Sequence, residues 1–148
     1  MTDCFFISGR DWFRYRAVGI IIEDNEILLA TNNEYIYSIG GGIHINETAE
    51  DAVVREVYEE SGIHYEVEKF IGIHENFFRD PKFGDYDCHE VAMYFLMKPQ
   101  GKKIPTGDRE GIWIPIHQLK NYKRHIDFIE LYLNSDKEFI HLVTKDYD

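Results

Sequence analysis

The segment from Gly40 to Ile63, GGGIHINETAEDAVVREVYEESGI, constrains this 148-residue chain more than any other. Three adjacent glycines open it, and a run with helical spacing ends on three glutamates, Glu56, Glu59 and Glu60. The glycines predict a turn, because they reach backbone dihedrals closed to other residues. Thr48 is the expected helix cap, with Asp51 as its partner three positions on. Glu47, Glu50 and Asp51 lie at the helix start, where the dipole favours negative charge. The helix is expected to run to about Ser61. Gly62 is placed to end it in a left-handed conformation.

Residues three and four apart share a helix face. Glu56 and Glu60 therefore stack one turn apart with Glu59 beside them, within an arc of roughly 100°. Ala49, Ala52 and Val53 fall on the same side. The carboxylates are thus expected to continue the stripe that faces a sheet. Acids this close repel one another unless a cation neutralises them. Oxygen donors of this kind suit Mg²⁺ and Mn²⁺. Zinc is the poorer match, since no His or Cys falls at ligand spacing within the helix. The bland alternative is a solvated charged face.

The rest of the chain reads as strands and loops. Phe13 to Glu23 is a strand, Asp24-Asn25 a turn, and Ile27 to Ala30 the hairpin partner. Tyr35 to Ile39, Val67 to Phe78 and Val91 to Met97 are further strands. The last is apolar throughout, as a central strand would be. Arg79 to Asp87 and Lys98 to Glu110 carry proline and glycine and read as loops. Trp113 belongs to a short strand, Ile116 to Leu119 to a brief helix and His125 to Asn134 to an amphipathic one. Phe139 to Val143 is a last strand. This order predicts one α/β layered domain over residues 1–148.

Net charge is −11 with no basic block, which argues against a long nucleic acid as partner. A small anion is compatible with it if a divalent metal inverts the local charge. Cys4 and Cys88 are too few for a disulfide scaffold and suit a reducing compartment. No apolar run reaches the ~18 to 20 residues of a membrane span, and no basic leader opens the sequence. The expectation is a cytoplasmic protein with no membrane partner.

Segment 41–63 also resembles a known pattern. Gly41 is followed after five residues by Glu47, then after seven by Arg55-Glu56-Val57, then by Glu59-Glu60 and Gly62-Ile63. Every defined position of the Nudix box is met, and the chain is identified as a suspected member of the Nudix hydrolase family. The resemblance implies an α/β/α sandwich around a mixed β-sheet. It implies hydrolysis of a diphosphate linkage in a nucleoside diphosphate joined to another group, with Mg²⁺ or Mn²⁺ as cofactor. Glu56, Glu59 and Glu60 become the expected metal ligands and catalytic residues, joined by the backbone carbonyl near Gly41. Glu47, Arg55 and Gly62 become structural members of the motif. Glu59 and Glu60 are both candidates for taking a proton from water. A further acid from outside the box is expected, with Glu110 and Glu90 as the candidates. The alternative is a Nudix-like domain that binds a nucleotide without turnover.

Substrate contacts follow less directly. Arg14 and Arg16 alternate on the first strand, share a face and can contact one anion together. Arg79, Arg109 and His44, the last inside the glycine-rich segment, are further candidates. Tyr35, Tyr37, Phe77, Phe78 and Trp113 are candidate stacking residues for a base. The 79–87 loop is a candidate selector of the attached group. A nucleoside triphosphate or a small nucleotide derivative is the expected substrate, and a homodimer is compatible with the composition.

Overall fold

The computed structural model describes residues 2–32, 34–80, 84–107 and 109–146. Among the described residues, eleven strands form two sheets. β1 (Phe5–Ser8), β2 (Asp11–Ile20), β8 (Tyr86–Met97), β7 (Val67–Asp80) and β11 (Ile140–Asp146) lie in that order, and β6 (Ile39–Gly42) also pairs with β2. β2 runs parallel to β8 and β7 parallel to β11, while the other pairs are antiparallel. The sheet is therefore mixed. The smaller sheet holds β10 (Arg124–His125), β5 (Ile36–Tyr37), β4 (Glu26–Thr31) and β3 (Ile22–Glu23), with β9 (Gly111–Pro115) on β4.

Alternation along β2 divides the core. Ala17 joins Ala52, Val53 and Val57 of helix α1 (Ala49–Ser61), while Val18 and Ile20 join Phe128 and Ile129 of helix α2 (Asp127–Leu133). Successive strand residues point to opposite faces, so the two helices cover opposite faces of the large sheet. β4 repeats the pattern, with Leu28 and Ala30 on the α1 side and Ile27 and Leu29 on the other. An α/β sandwich around a mixed sheet results. None of the described helices is long and apolar enough to cross a membrane.

Local chemistry explains the boundaries. Asp24 and Asn25 both take positive φ, the pair of left-handed residues a tight hairpin turn needs. The backbone N–H of Asp51 donates to Thr48 Oγ1 at 3.0 Å, which caps α1. Gly62 ends the helix at φ 78°, and its N–H donates to the Tyr58 carbonyl. A 3₁₀ turn spans Ile116–Asn121, close to the brief helix expected there.

Several expectations need correction. The glycine run is no turn: Gly40 to Gly42 belong to β6, paired with β2, and none of them has positive φ. What requires glycine is close approach, because a Cβ on Gly40 would fall 2.3 Å from the Ala17 carbonyl oxygen. The strand read as Phe13 to Glu23 breaks at Ile21 into β2 and β3, and Tyr35 to Ile39 likewise splits into β5 and β6. His125 lies in β10, so α2 starts later than its apolar stripe suggests. Strands β7 and β8 extend to Asp80 and back from Tyr86, so residues at both ends of the expected 79–87 loop lie in paired strands. Pro81 in that loop lies outside the described residues. β1 escaped the sequence reading, because its four residues are all exposed and carry no buried alternation.

Candidate active site

The site is built where β6 delivers Gly40 and Gly41 against the last two turns of α1. Glu60 reaches back to the strand, and the Gly40 N–H donates to its Oε2 at 2.9 Å. Glu56 lies flat on Gly41, where a Cβ would fall 2.5 Å from the Glu56 Cδ. Gly41 thus serves an approach no other residue permits. The helical stripe holds for these two acids, which are partly buried, but not for Glu59, whose side chain is 55% exposed. Its position nearer the outer edge of the arc turns it to solvent, and this corrects the inward reading.

Arg55 organises the cluster. Its Nε and Nη2 donate to the two oxygens of Glu47 at 2.9 and 3.0 Å, and Nη2 also donates to the Gly42 carbonyl at 2.9 Å. Nη1 donates to Glu56 at 2.8 Å and reaches Glu59 only at 3.3 and 3.4 Å. One planar fork therefore ties the helix to the loop before it and orients one cluster acid. The Glu47 carboxyl is held below its ordinary range by the Arg55 hydrogen bond. His44 adds to this corner: its N–H donates to Glu47 at 3.0 Å, and its ring lies 3.3 Å from Asp3.

Glu60 carries the electrostatic load. Burial and the neighbouring Glu56 charge push its carboxyl up to about 7. The Gly40 hydrogen bond and the Arg16 charge act against this, and the Glu110 charge adds to it. Glu110, exposed just before β9, also raises Tyr37, after burial the largest cause there. The fold thus brings Glu110 into the field of the cluster. Glu90 has a different setting. It is buried on β8, 2.9 Å from Arg16 and 3.9 Å from Arg14. Burial would raise its carboxyl, but the two arginines outweigh that and hold it below the ordinary range.

Among the described residues no three His, Cys, Asp or Glu side chains converge as a ready-made metal group. The donor chemistry nonetheless suits a hard cation. Glu56, Glu60 and the Gly41 backbone present oxygen alone, and the lightly held Glu59 is free to turn toward them.

Arg14 and Arg16 do share a face, that of Glu90, since both strands are in register there. They line a cavity of about 350 Å³ that also touches Gly41 and Gly42. Phe77 and Arg79 are placed elsewhere. Phe77 lies opposite His89, on the other face of the sheet from Glu90, with Lys145 over its ring. Arg79 pairs with Asp87 across the β7–β8 hairpin at 2.9 Å. Arg109 donates to the Glu59 carbonyl at 2.6 Å and so closes the end of α1. Trp113 donates from its indole to the Ile104 carbonyl. A larger cavity, about 440 Å³, lies between Val54 and the 98–100 segment and holds none of the candidate site residues.

Two neighbours of the site went unnoticed in the sequence. Trp12 precedes Arg14 and Arg16 at the same period of two and lines the cavity with them, a signal the alternation already contained. Asp3 closes on Gly42, where a Cβ would meet its Oδ2 at 2.8 Å. Nothing local in the sequence marks that contact, because it depends on residues 2–4 lying along 43–45.

Comparison with known proteins accords with this layout. The NUDIX domain matches residues 13–132, and the chain belongs to the Nudix family. Among curated proteins it resembles an ADP-ribose pyrophosphatase of Methanocaldococcus jannaschii, 33% identical over 69% of this chain and 65% of that one. A MutT-like protein of Streptomyces ambofaciens is 34% identical over 57% of this chain and 51% of that one. The chain therefore spans between half and two thirds of the length of these relatives. Among solved structures, a MutT protein of Bacillus halodurans has the same fold, with a TM-score of 0.65 at 13% identity, over 89% of this chain and 90% of that one.

Proposed function

We propose that this chain is a Mg²⁺- or Mn²⁺-dependent pyrophosphohydrolase acting on a nucleoside diphosphate linked to another group, a (d)NTP or a small nucleotide derivative. The observation that carries this reading is the convergence of Glu56 and Glu60 on the Gly40–Gly41 backbone, beside a cavity lined by Arg14 and Arg16. The ADP-ribose pyrophosphatase relative adds a nucleoside diphosphate sugar to the substrates worth testing.

Glu56, Glu59 and Glu60, with the Gly41 carbonyl, would hold the cation, with Glu110, whose charge reaches Glu60, as the candidate acid from outside the box. A bound cation supplies neutralisation of the diphosphate and lowers the pKa of water. The chain's own residues do the rest. Arg55 fixes Glu56, and Gly40 fixes Glu60, so both carboxylates stand preorganised. Glu59 and Glu60 stay the two candidates for accepting the proton of the attacking water. Arg14, only loosely tied to Glu90, has donors to spare for a phosphate oxygen. Arg16 is committed to Glu90 and holds the floor of the cavity in place.

The test is release of phosphate, pyrophosphate and nucleotide from a panel, with each metal and with chelator. Canonical and oxidised (d)NTPs, ADP-ribose, nucleotide sugars, dinucleoside polyphosphates, dinucleotide cofactors and 5′-capped or triphosphorylated RNA make up the panel. Metal-dependent cleavage of one class is the expected result. Binding of metal and nucleotide with no turnover on any of them would replace hydrolysis by a binding role.

A further inference from the structure

Helix α1 covers only part of the sheet face turned toward it. It lies over β2 and β6 and reaches β8 near Met97, which meets Val53 and Val57 around Gly19. Toward the start of β8 the alternation shows that a layer is missing. Glu90, Ala92 and Tyr94 are buried on one face, whereas on the other His89 is exposed and Val91 and Met93 are only half-buried. A strand paired along both edges and apolar on both faces is expected to be covered on both. The same side of the neighbouring strands is open as well. In register across five strands, Phe6, Phe13, His89, Phe77 and Lys145 form one row. Its rings follow one another at 4.5 to 5.7 Å, and the Lys145 ammonium lies 5.5 Å from the Phe77 ring. Val91, Glu75 and Val143 form the next row, and Phe70 with Phe139, 5.3 Å apart, closes the far end. Phe6, Phe70, Phe139 and Val143 are between 39% and 56% exposed.

We propose that this face docks a second copy of the chain, sheet against sheet, in a two-fold dimer. Contiguous apolar faces of more than a few hundred Å² mark contact sites. At about 4.8 Å between strands and about 3.3 Å per residue, β8, β7, β11 and the Phe6–Phe13 corner outline about 400 Å² in plan. Upright side chains raise the accessible area above the plan area. Two copies therefore bury about 1,000 Å² in total, the lower end for a specific interface and the size of a reversible dimer. Charge selects the partner. The chain carries −11, yet these rows hold one acid, Glu75, and one base, Lys145, and Glu75 also lies 2.6 Å from His141. Two such faces meet without the repulsion between the acidic surfaces around them. Each offers the other a carboxylate and an ammonium, as a two-fold contact requires. A strongly acidic or basic partner finds no net counter-charge here. Arg14 and Arg16 lie on the opposite face, in phase with Glu90, so the docked pair leaves them uncovered. Docking of this kind needs neither metal nor turnover.

Sedimentation equilibrium of the whole chain, without metal or nucleotide, tests this. Against a monomer mass of 17.5 kDa it should show a reversible monomer–dimer equilibrium with a Kd of about 10 μM or tighter. Val143→Lys and Phe139→Lys each add a charge at an exposed position of the face and should weaken the dimer at least about tenfold, with circular dichroism unchanged. Using two face variants keeps the test intact if one of them fails to fold. Leu131→Lys, at a position 42% exposed on α2, should leave the equilibrium as it is. A parent chain that stays monomeric at about 100 μM overturns the proposal. So does a dimer that the folded face variants leave intact, or one that only Leu131→Lys breaks. Flotation of a monomeric parent with phosphatidylcholine vesicles overturns it in favour of a lipid surface.

Discussion

Replacing Arg55 with lysine removes the geometry of the brace and keeps its charge. Three guanidinium nitrogens make four short contacts: two to Glu47, one to Glu56 and one to the Gly42 carbonyl, between 2.8 and 3.0 Å. A single ammonium donates from one point and can serve one carboxylate at a time. At least two charge-assisted bonds are lost. Each is worth about 1.5 to 3 kcal/mol when fully buried, and partial solvent access reduces that to about 1 kcal/mol each. The expected destabilisation is thus about 2 kcal/mol. For a domain of this size it lowers Tm by about 4 to 8 °C. Urea unfolding in chelator should show the midpoint falling with an unchanged m-value. Turnover should fall more than about tenfold, because Glu56 loses its orientation. A Tm within about 1 °C of the parent, with Glu47 and Glu56 both intact, would refute the bracing argument.

Gly41→Ala should fold but push Glu56 off the strand, cutting turnover at least about tenfold at a stability cost of about 1 to 3 kcal/mol; steady-state kinetics and urea midpoints check both. Glu59→Gln is expected to cut turnover far more than substrate affinity, and near-normal kcat in the folded variant would remove Glu59 from the chemistry. Glu90→Gln leaves the half-buried Arg16 without its counter-charge, so unfolding should be easier by about 2 kcal/mol, measured by denaturant titration. His74 is buried, and burial lowers its pKa below 6.5 despite the Glu90 charge. The unfolded chain then protonates first as pH falls, so stability held above about pH 6.5 is lost on acidification toward the lower folded pKa. Urea midpoints at pH 7.5 and 5.5 should differ less in His74→Gln than in the parent, and an equal difference would exclude His74 as a source.

Sequence periodicity carried the helix from Thr48 to Gly62 because cap, apolar stripe and terminating glycine all act within one segment. The same held for the Arg55–Glu47 brace, implied by the motif resemblance and met in the fold at 2.9 and 3.0 Å. Long-range pairing was not legible. The Gly40–Gly42 run looked like a turn because the contacts that demand glycine come from Ala17, on β2, and from Glu56, one element later. Glu90 posed the opposite problem. A carboxylate at the entrance of an apolar strand signals a partner, and only the parallel register of β2 with β8, which sets Arg14 opposite Glu90, identifies that partner as an arginine pair. Phe77 and Arg79 shared the aromatic and cationic character of a binding surface. Their strand phase puts them on the face away from Glu90, and phase is fixed by the β7 register shifts rather than by composition.

Charge is distributed unevenly about the β2–β6 junction, and that asymmetry carries the functional argument. Beyond Gly41, toward α1, one guanidinium faces Glu47, Glu56 and Glu59, while Glu60 is left to Gly40 and a distant Arg16. The excess is negative, and it raises Glu60 rather than being absorbed by pairing. Along β2, Arg14 and Arg16 share the buried carboxylate of Glu90, while the Asp3 carboxylate on the same cavity stands against Gly42 and the His44 ring. A fold selected for stability alone would pair these charges within each group. Holding them apart across the Gly40–Gly42 strand leaves the glutamate side needing a cation, while Arg14 on the other side keeps donors for an anion. A metal–diphosphate pair meets both needs at once, whereas a free cation or a free phosphate meets only one. On the proposed reading, metal and nucleotide therefore bind with positive coupling, each raising the affinity of the other by the same factor.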